Sequence, residues 1–187
     1  RGYNYYFQFT LNNYDNEKLE LNVPKVQSRI DTFRRLSERV GKEKVIWRFD
    51  PLLLTDRIGV DELLEKARSV GNQLQGYTEK LVFSFADIAL YKKVQNNLRK
   101  SSIAYREFDE HAMREFAAGL QKLNEDWHFQ LATCAEQLPL EQYGIVHNKC
   151  IDDDLIIKLF PDDKPLMDFL GVKITPPDIF HPPVSYT

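Results

Sequence analysis

Arg48 and Asp50 stand two residues apart in the run Val45-Ile46-Trp47-Arg48-Phe49-Asp50. On an extended strand that spacing puts both side chains on one side. There they either neutralise one another, or Arg48 clamps a carboxylate or phosphate while Asp50 orients it. Three other β-prone runs end in polar groups: Gln8 and Thr10, Ser84 and Asp87, and Cys134 and Glu136. Glu136 is the candidate general acid or base, at a strand end where partial burial raises a carboxyl pKa. Asp87 suits the same work through a water or a metal, or caps the helix that follows it. Gln8, Thr10 and Ser84 are candidates for holding substrate. Cys134, His147 and Cys150 carry the donors of a soft-metal site, with His147-x-x-Cys150 closing a small chelate if the loop returns toward Cys134. Their spacing matches no metal signature, and structural roles or a reactive thiol are the alternatives.

Strands that end at a common edge are the elements able to gather such groups, and the chain repeats the required unit. Tyr5-Tyr6-Phe7-Gln8-Phe9-Thr10 leads through an Asn- and Asp-rich loop to a helix expected over 25–40, with Val26, Ile30, Phe33 and Val40 on one stripe. Pro24 precedes that helix and Gly41 ends it. The strand from Val45 is followed by a helix through Val60, Leu63, Ala67, Val70 and Leu74. The third strand, Leu81 to Asp87, leads into a helix carrying Ile88, Tyr91, Val94 and Leu98, and a further helix carries Met113, Phe116, Leu120 and Leu123. The fourth strand is Phe129 to Cys134, with a short helical piece beginning near Asp152. Strands apolar on both sides and separated by helices imply a parallel sheet covered on both faces. The expected architecture is therefore α/β, a partial or incomplete TIM-like (β/α) barrel over residues 1–160. An open doubly wound sheet is its competitor, although neither GxGxxG nor GxxxxGK[ST] occurs.

Six of the nine prolines lie from Pro161 onward, so residues 161–187 are expected to form a proline-rich tail, with one short strand over 169–174. At 187 residues the chain is shorter than the roughly 250 residues of a complete eight-unit barrel. It opens at Arg1-Gly2-Tyr3 with neither an initiator methionine nor a signal-peptide pattern, as expected of a truncated chain. A net charge of −3 gives no overall attraction for nucleic acid; Lys92, Lys93, Arg99 and Lys100 read as a solvated helix face or a local phosphate contact. No window is apolar enough to span a membrane, and two cysteines form no disulfide scaffold, so a cytoplasmic setting is the default expectation.

The segment Val45-Ile46-Trp47-Arg48-Phe49-Asp50-Pro51-Leu52-Leu53-Leu54-Thr55-Asp56 closely resembles the DUF1848 family, as do Tyr6-Phe7-Gln8-Phe9-Thr10 and Thr133-Cys134-Ala135-Glu136. Gly144 to Asp152 extends the likeness, which covers roughly residues 1–160. The resemblance implies a barrel-like organisation similar to radical S-adenosylmethionine proteins. It also implies an additional part before Arg1 with an arginine-rich strand-end motif, and a carboxyl-terminal cysteine cluster of iron–sulfur type. Neither stands in this sequence. By matching motifs it supports Gln8, Arg48, Asp50 and Glu136 as site residues without assigning their chemistry.

Three functional expectations follow. The first is a barrel related to radical S-adenosylmethionine enzymes, with an iron–sulfur cluster and S-adenosylmethionine as the cofactors of complete members and a small molecule bound at the strand ends. The second is a non-enzymatic structural or interaction protein. The third is a metal-dependent hydrolase. A partial barrel leaves sheet edges to be covered, so self-association or a completing segment is expected as well.

Overall fold

The computed structural model describes residues 3–20, 22–90, 95–96, 98–99, 103–134, 138–149 and 151–171. Two compact units divide the chain, residues 1–150 and 151–187.

In the first unit five strands form one parallel sheet: β1 (Phe7–Thr10), β2 (Val45–Leu52), β4 (Lys80–Phe85), β6 (Gln130–Cys134) and β7 (Ile145–Asn148). Two-residue strands β3 (Leu54–Thr55) and β5 (Tyr105–Arg106) make a separate antiparallel pair. The order across the large sheet is β1-β2-β4-β6-β7, which is the order along the chain. A doubly wound sheet reverses its order at a switch point; these strands show no reversal. β1 and β7 are the two ends of the sheet, so barrel closure is not seen among the described residues.

The helices are α1 (Val26–Val40), α2 (Val60–Leu74) and α3 (Glu110–Trp127). Local chemistry fixes their ends. The first amide of α1, at Val26, donates to Asp15 Oδ2 at 2.9 Å, and Gly41 terminates the helix at φ 98°. Glu62 reaches back to the Gly59 amide at the start of α2, and Asp109 accepts from the Ala112 amide at the start of α3. At the far end of α3, His128 adopts the left-handed conformation while Asn124 bonds both the amide and the carbonyl of Phe129. That junction turns the chain directly into β6.

Register sorts the sheet into two unlike faces. Val45, Trp47, Phe49, Leu81, Phe83, Leu131 and Ile145 share one, and they form a single core with Ile30 and Phe33 of α1, Leu63 and Ala67 of α2, and Phe116 and Leu120 of α3. Trp47 stacks on Phe49 with centroids 6.0 Å apart, and its indole N–H donates to the Leu11 carbonyl at 2.9 Å. Gly71 of α2 admits Trp127: a Cβ there would lie 2.4 Å from the indole ring. The opposite face carries Gln8, Arg48, Ser84, Cys134 and Asn148 toward the carboxyl ends of the strands.

The structure differs from the sequence expectation at several points. It adds β7, whose four residues alternate too little to be read as a strand, and the β3–β5 pair. Residues 88–90 form a 3-10 turn, and much of the helix expected after them, with Lys92, Lys93 and Lys100, lies outside the described residues. In the second unit α4 (Asp153–Leu159) meets the expectation near Asp152, whose side chain accepts from the Leu155 amide. Where a short strand was expected from 169, the chain forms α5 (Lys164–Leu170) instead. The reason is local: Asp163 caps the first turn, Pro165 sits where its missing amide hydrogen does no harm, and Gly171 closes the helix at φ 71°. Residues 172–187 lie outside the described residues. Among the described residues no helix is long and apolar enough to cross a membrane.

Candidate functional site

Arg48 is the hub of the polar face. Its Nε donates to Asp50 Oδ2 at 2.8 Å, its Nη2 meets the same oxygen, and its Nη1 donates to Gln8 Oε1. Cys134 of β6 stands on the same face and also acts favourably on the guanidinium. Arg48 and Asp50 are both mostly buried, at 17% and 15% side-chain exposure. Burial alone disfavours the charged guanidinium; the hydrogen bond and charge of Asp50, then those of Cys134, outweigh it and hold the Arg48 pKa above its ordinary value. Arg48 is therefore charged at every working pH, with most of its donors taken. The two side chains form an ion pair on one side of the strand, as their spacing implied.

The strand ends are held from behind. β2 gains a residue relative to β4 between Phe49 and Leu52, and the Asp50–Pro51 peptide within this bulge is cis. Asn12, just beyond β1, donates to the Asp50 carbonyl at 3.1 Å. Tyr14 donates its hydroxyl hydrogen to the Pro51 carbonyl at 3.1 Å and accepts from the Leu53 amide at 3.2 Å. Burial above all raises the Tyr14 phenol, and the carboxylates of Glu20 and Glu17 add to this against the opposing Leu53 hydrogen bond. The loop bearing Asn12 and Tyr14 is anchored in turn by ion pairs, Arg29 to Asp15 at 3.3 Å and to Glu20 at 3.0 Å, and Lys66 to Glu17 at 2.8 Å. Asn12 and Tyr14 carry no sequence motif; the one signal is for Tyr14, the single aromatic in a loop of amides and acids.

Gln8, Arg48 and Asp50 are thus joined by hydrogen bonds, with Cys134 on the same face of the sheet. Thr10 is the register partner of Arg48, and Ser84 lies one step further along the same face of β4. Asp87 is exposed beyond the end of β4, outside the hydrogen-bonded group. Glu136 and Cys150 lie outside the described residues. His147 is exposed and is the register partner of Thr133, whereas Cys134 pairs with Asn148. Successive strand residues face opposite ways, so the sheet separates Cys134 from His147. Among the described residues no group of three or more His, Cys, Asp or Glu side chains could hold a metal ion. A cysteine-only cluster does not fit this chain either, since its two cysteines supply half the ligands of a four-iron site. A cavity of about 290 Å³ lies elsewhere, between the starts of α2 and α3 and the β3–β5 pair, with Asp61, Glu62, Glu107 and Glu115 in its wall.

The model of a family described as "Domain of unknown function (DUF1848)" matches residues 1–172. No curated protein and no solved structure matched the chain.

Proposed function

We propose that this chain, which belongs to the DUF1848 family, provides a small-molecule site on the polar face of an incompletely closed (β/α) barrel. One observation carries this reading: Gln8, Arg48 and Asp50, from two adjacent strands, meet in one hydrogen-bonded group, with Ser84 and Cys134 on the same face, opposite the hydrophobic core. Polar groups converging at the carboxyl ends of parallel strands are where such folds bind ligands. The strand order supports a barrel-type arrangement, the one expected of a relative of radical S-adenosylmethionine enzymes. Arg48 serves as a fixed positive centre; Asp50 and Gln8 hold it, and Thr10 and Ser84 offer hydroxyls to a ligand beside it. Because Asp50 offsets part of the charge of Arg48, the face suits neutral or zwitterionic polar molecules better than simple anions.

Amide chemical-shift mapping tests this with a panel of small polar molecules that includes S-adenosylmethionine. Shifts clustered at residues 8–12, 48–52, 84–86 and 132–134, and abolished in Arg48→Met, are the expected result. Shifts confined to the cavity at the starts of α2 and α3, or none in folded protein, would remove the reading.

A further inference from the structure

We infer that the outer edge of β1 is a self-association surface, on which a second copy of this chain adds its own β1, antiparallel, about a twofold axis at Phe7. Among the described residues β1 is an end strand, paired with β2 on one side only. The Leu11 amide donates to the Arg48 carbonyl, which fixes the alternation along the strand: Phe9 and Leu11 turn their backbone groups to β2, and Gln8 and Thr10 turn theirs outward. The edge is therefore a row of N–H and C=O groups able to take another strand. Native sheets guard such edges with charges, prolines or bulges. This one has none of them: its register with β2 is regular, and from Tyr3 to Tyr14 there is no Asp, Glu, Lys, Arg, His or Pro, in a chain of which 28% is charged. The other end strand, β7, contains His147 and runs straight into Lys149.

The side chains of this edge select the occupant. Phe7 and Phe9 stand on the core side of the sheet as partners of Val45 and Trp47, and Tyr5 meets Phe7 edge-on at 5.4 Å. Tyr3, Tyr5 and Phe7 are 81%, 56% and 38% exposed. A twofold axis at Phe7 sets that ring opposite its own symmetry mate and Tyr5 opposite the second copy's Phe9, while Gln8 and Tyr6 become the pair that exchanges backbone hydrogen bonds. Charge favours a copy over a foreign strand. An uncharged run gives a foreign strand no charge to recognise, yet it meets itself without repulsion. Pairing of one patch with itself also closes at two chains. The three exposed rings offer about 350 Å² per chain. With the edge backbone, two copies bury roughly 1,000 Å², the low end of specific interfaces. The pair is accordingly weak and concentration-dependent.

Sedimentation velocity of the full 187-residue chain is the test. The mass is expected to rise from 22.0 kDa toward twice that value as concentration increases, with a midpoint at about 10 μM for an interface this small. Phe7→Lys and Phe7→Glu are each expected to stay monomeric, because like charges then meet directly across the axis, and an equimolar mixture of the two is expected to regain the dimer. Circular dichroism checks that each is folded. Tyr5→Lys, at a more exposed position, is the second variant, with dimerisation weakened about tenfold. A parent that remains at 22.0 kDa at about 100 μM, ten times the expected midpoint, would overturn the inference. So would folded Phe7 variants that dimerise as the parent does, or species that keep growing with concentration, which mark an open head-to-tail contact. A monomeric parent that binds an added uncharged β-strand peptide assigns the edge to another chain and equally overturns the second copy as its occupant.

Discussion

Replacing Tyr14 by phenylalanine removes one oxygen atom from the bridge between the β1–α1 loop and the β2 bulge. The ring stays, so no cavity opens, and the effect is confined to the hydroxyl. That hydroxyl accepts from the Leu53 amide at 3.2 Å and donates to the Pro51 carbonyl at 3.1 Å. Pro51 is exposed and its carbonyl can turn to water; Leu53 is only partly exposed, so its amide bears most of the loss. One net hydrogen bond and one partly orphaned amide together cost about 1.5 kcal/mol. For a domain of this size that lowers Tm by roughly 3–6 °C. Urea denaturation with an unchanged m-value measures the first quantity and calorimetry the second. A second signature depends on pH. Burial chiefly, with Glu20 and Glu17 behind it, holds the folded phenol above the ordinary value of 10.0, against the Leu53 hydrogen bond. Above pH 10 the unfolded chain releases this proton while the folded chain retains it. Stability is therefore full below that pH and falls as pH rises beyond it, by about 1.4 kcal/mol per unit relative to Tyr14→Phe. A loss below about 0.3 kcal/mol, well under the usual net worth of a hydrogen bond, or parallel alkaline slopes for the two proteins, would refute the bridge.

Gly71→Ala places a Cβ 2.4 Å from the Trp127 ring; the overpacking is expected to cost about 1–3 kcal/mol in chemical denaturation and to alter Trp127 fluorescence. Asp109→Ala removes the acceptor for the Ala112 amide; a loss of about 1 kcal/mol, recovered in Asp109→Ser, is the expected result by the same measurement. Arg29→Met strands Asp15 and Glu20 without their shared cation; the expected loss is about 3 kcal/mol in urea denaturation at neutral pH.

The elements were legible where the hydrophobic period was long. The stripe through Ile30 and Phe33, the run of Leu63, Ala67, Val70 and Leu74, and the Trp47–Phe49 alternation each became buried surface on one core. Where tertiary contact decides, the sequence was silent. Ile145–Asn148 is a strand because β6 offers it a parallel edge, and nothing within its four residues requires one. The segment after Pro161 was expected as a proline-rich tail with a short strand from 169, yet Pro165 falls in the first turn of a helix, where that residue is harmless. The Arg48–Asp50 pair was readable from strand spacing alone. The link from Arg48 to Gln8 and Cys134 was not, because it depends on which strands are neighbours. The expectation of a metal set from Cys134, His147 and Cys150 overlooked parity for the first two: thirteen residues apart on different strands, they are sent to opposite faces by the register of β6 with β7.

Because the strand order follows the chain order, the groups of the polar face enter the nascent fold one unit at a time. Gln8 arrives with the first strand and Asn148 with the last. Long sequence separations of this kind slow folding, since each closure loses chain entropy before its contacts are made. The face is consequently a late reporter of assembly. During refolding, helical circular dichroism is expected to recover before Cys134 reaches its native rate of modification by a thiol reagent, and the lag between the two signals measures the docking of β6 against strands laid down before it.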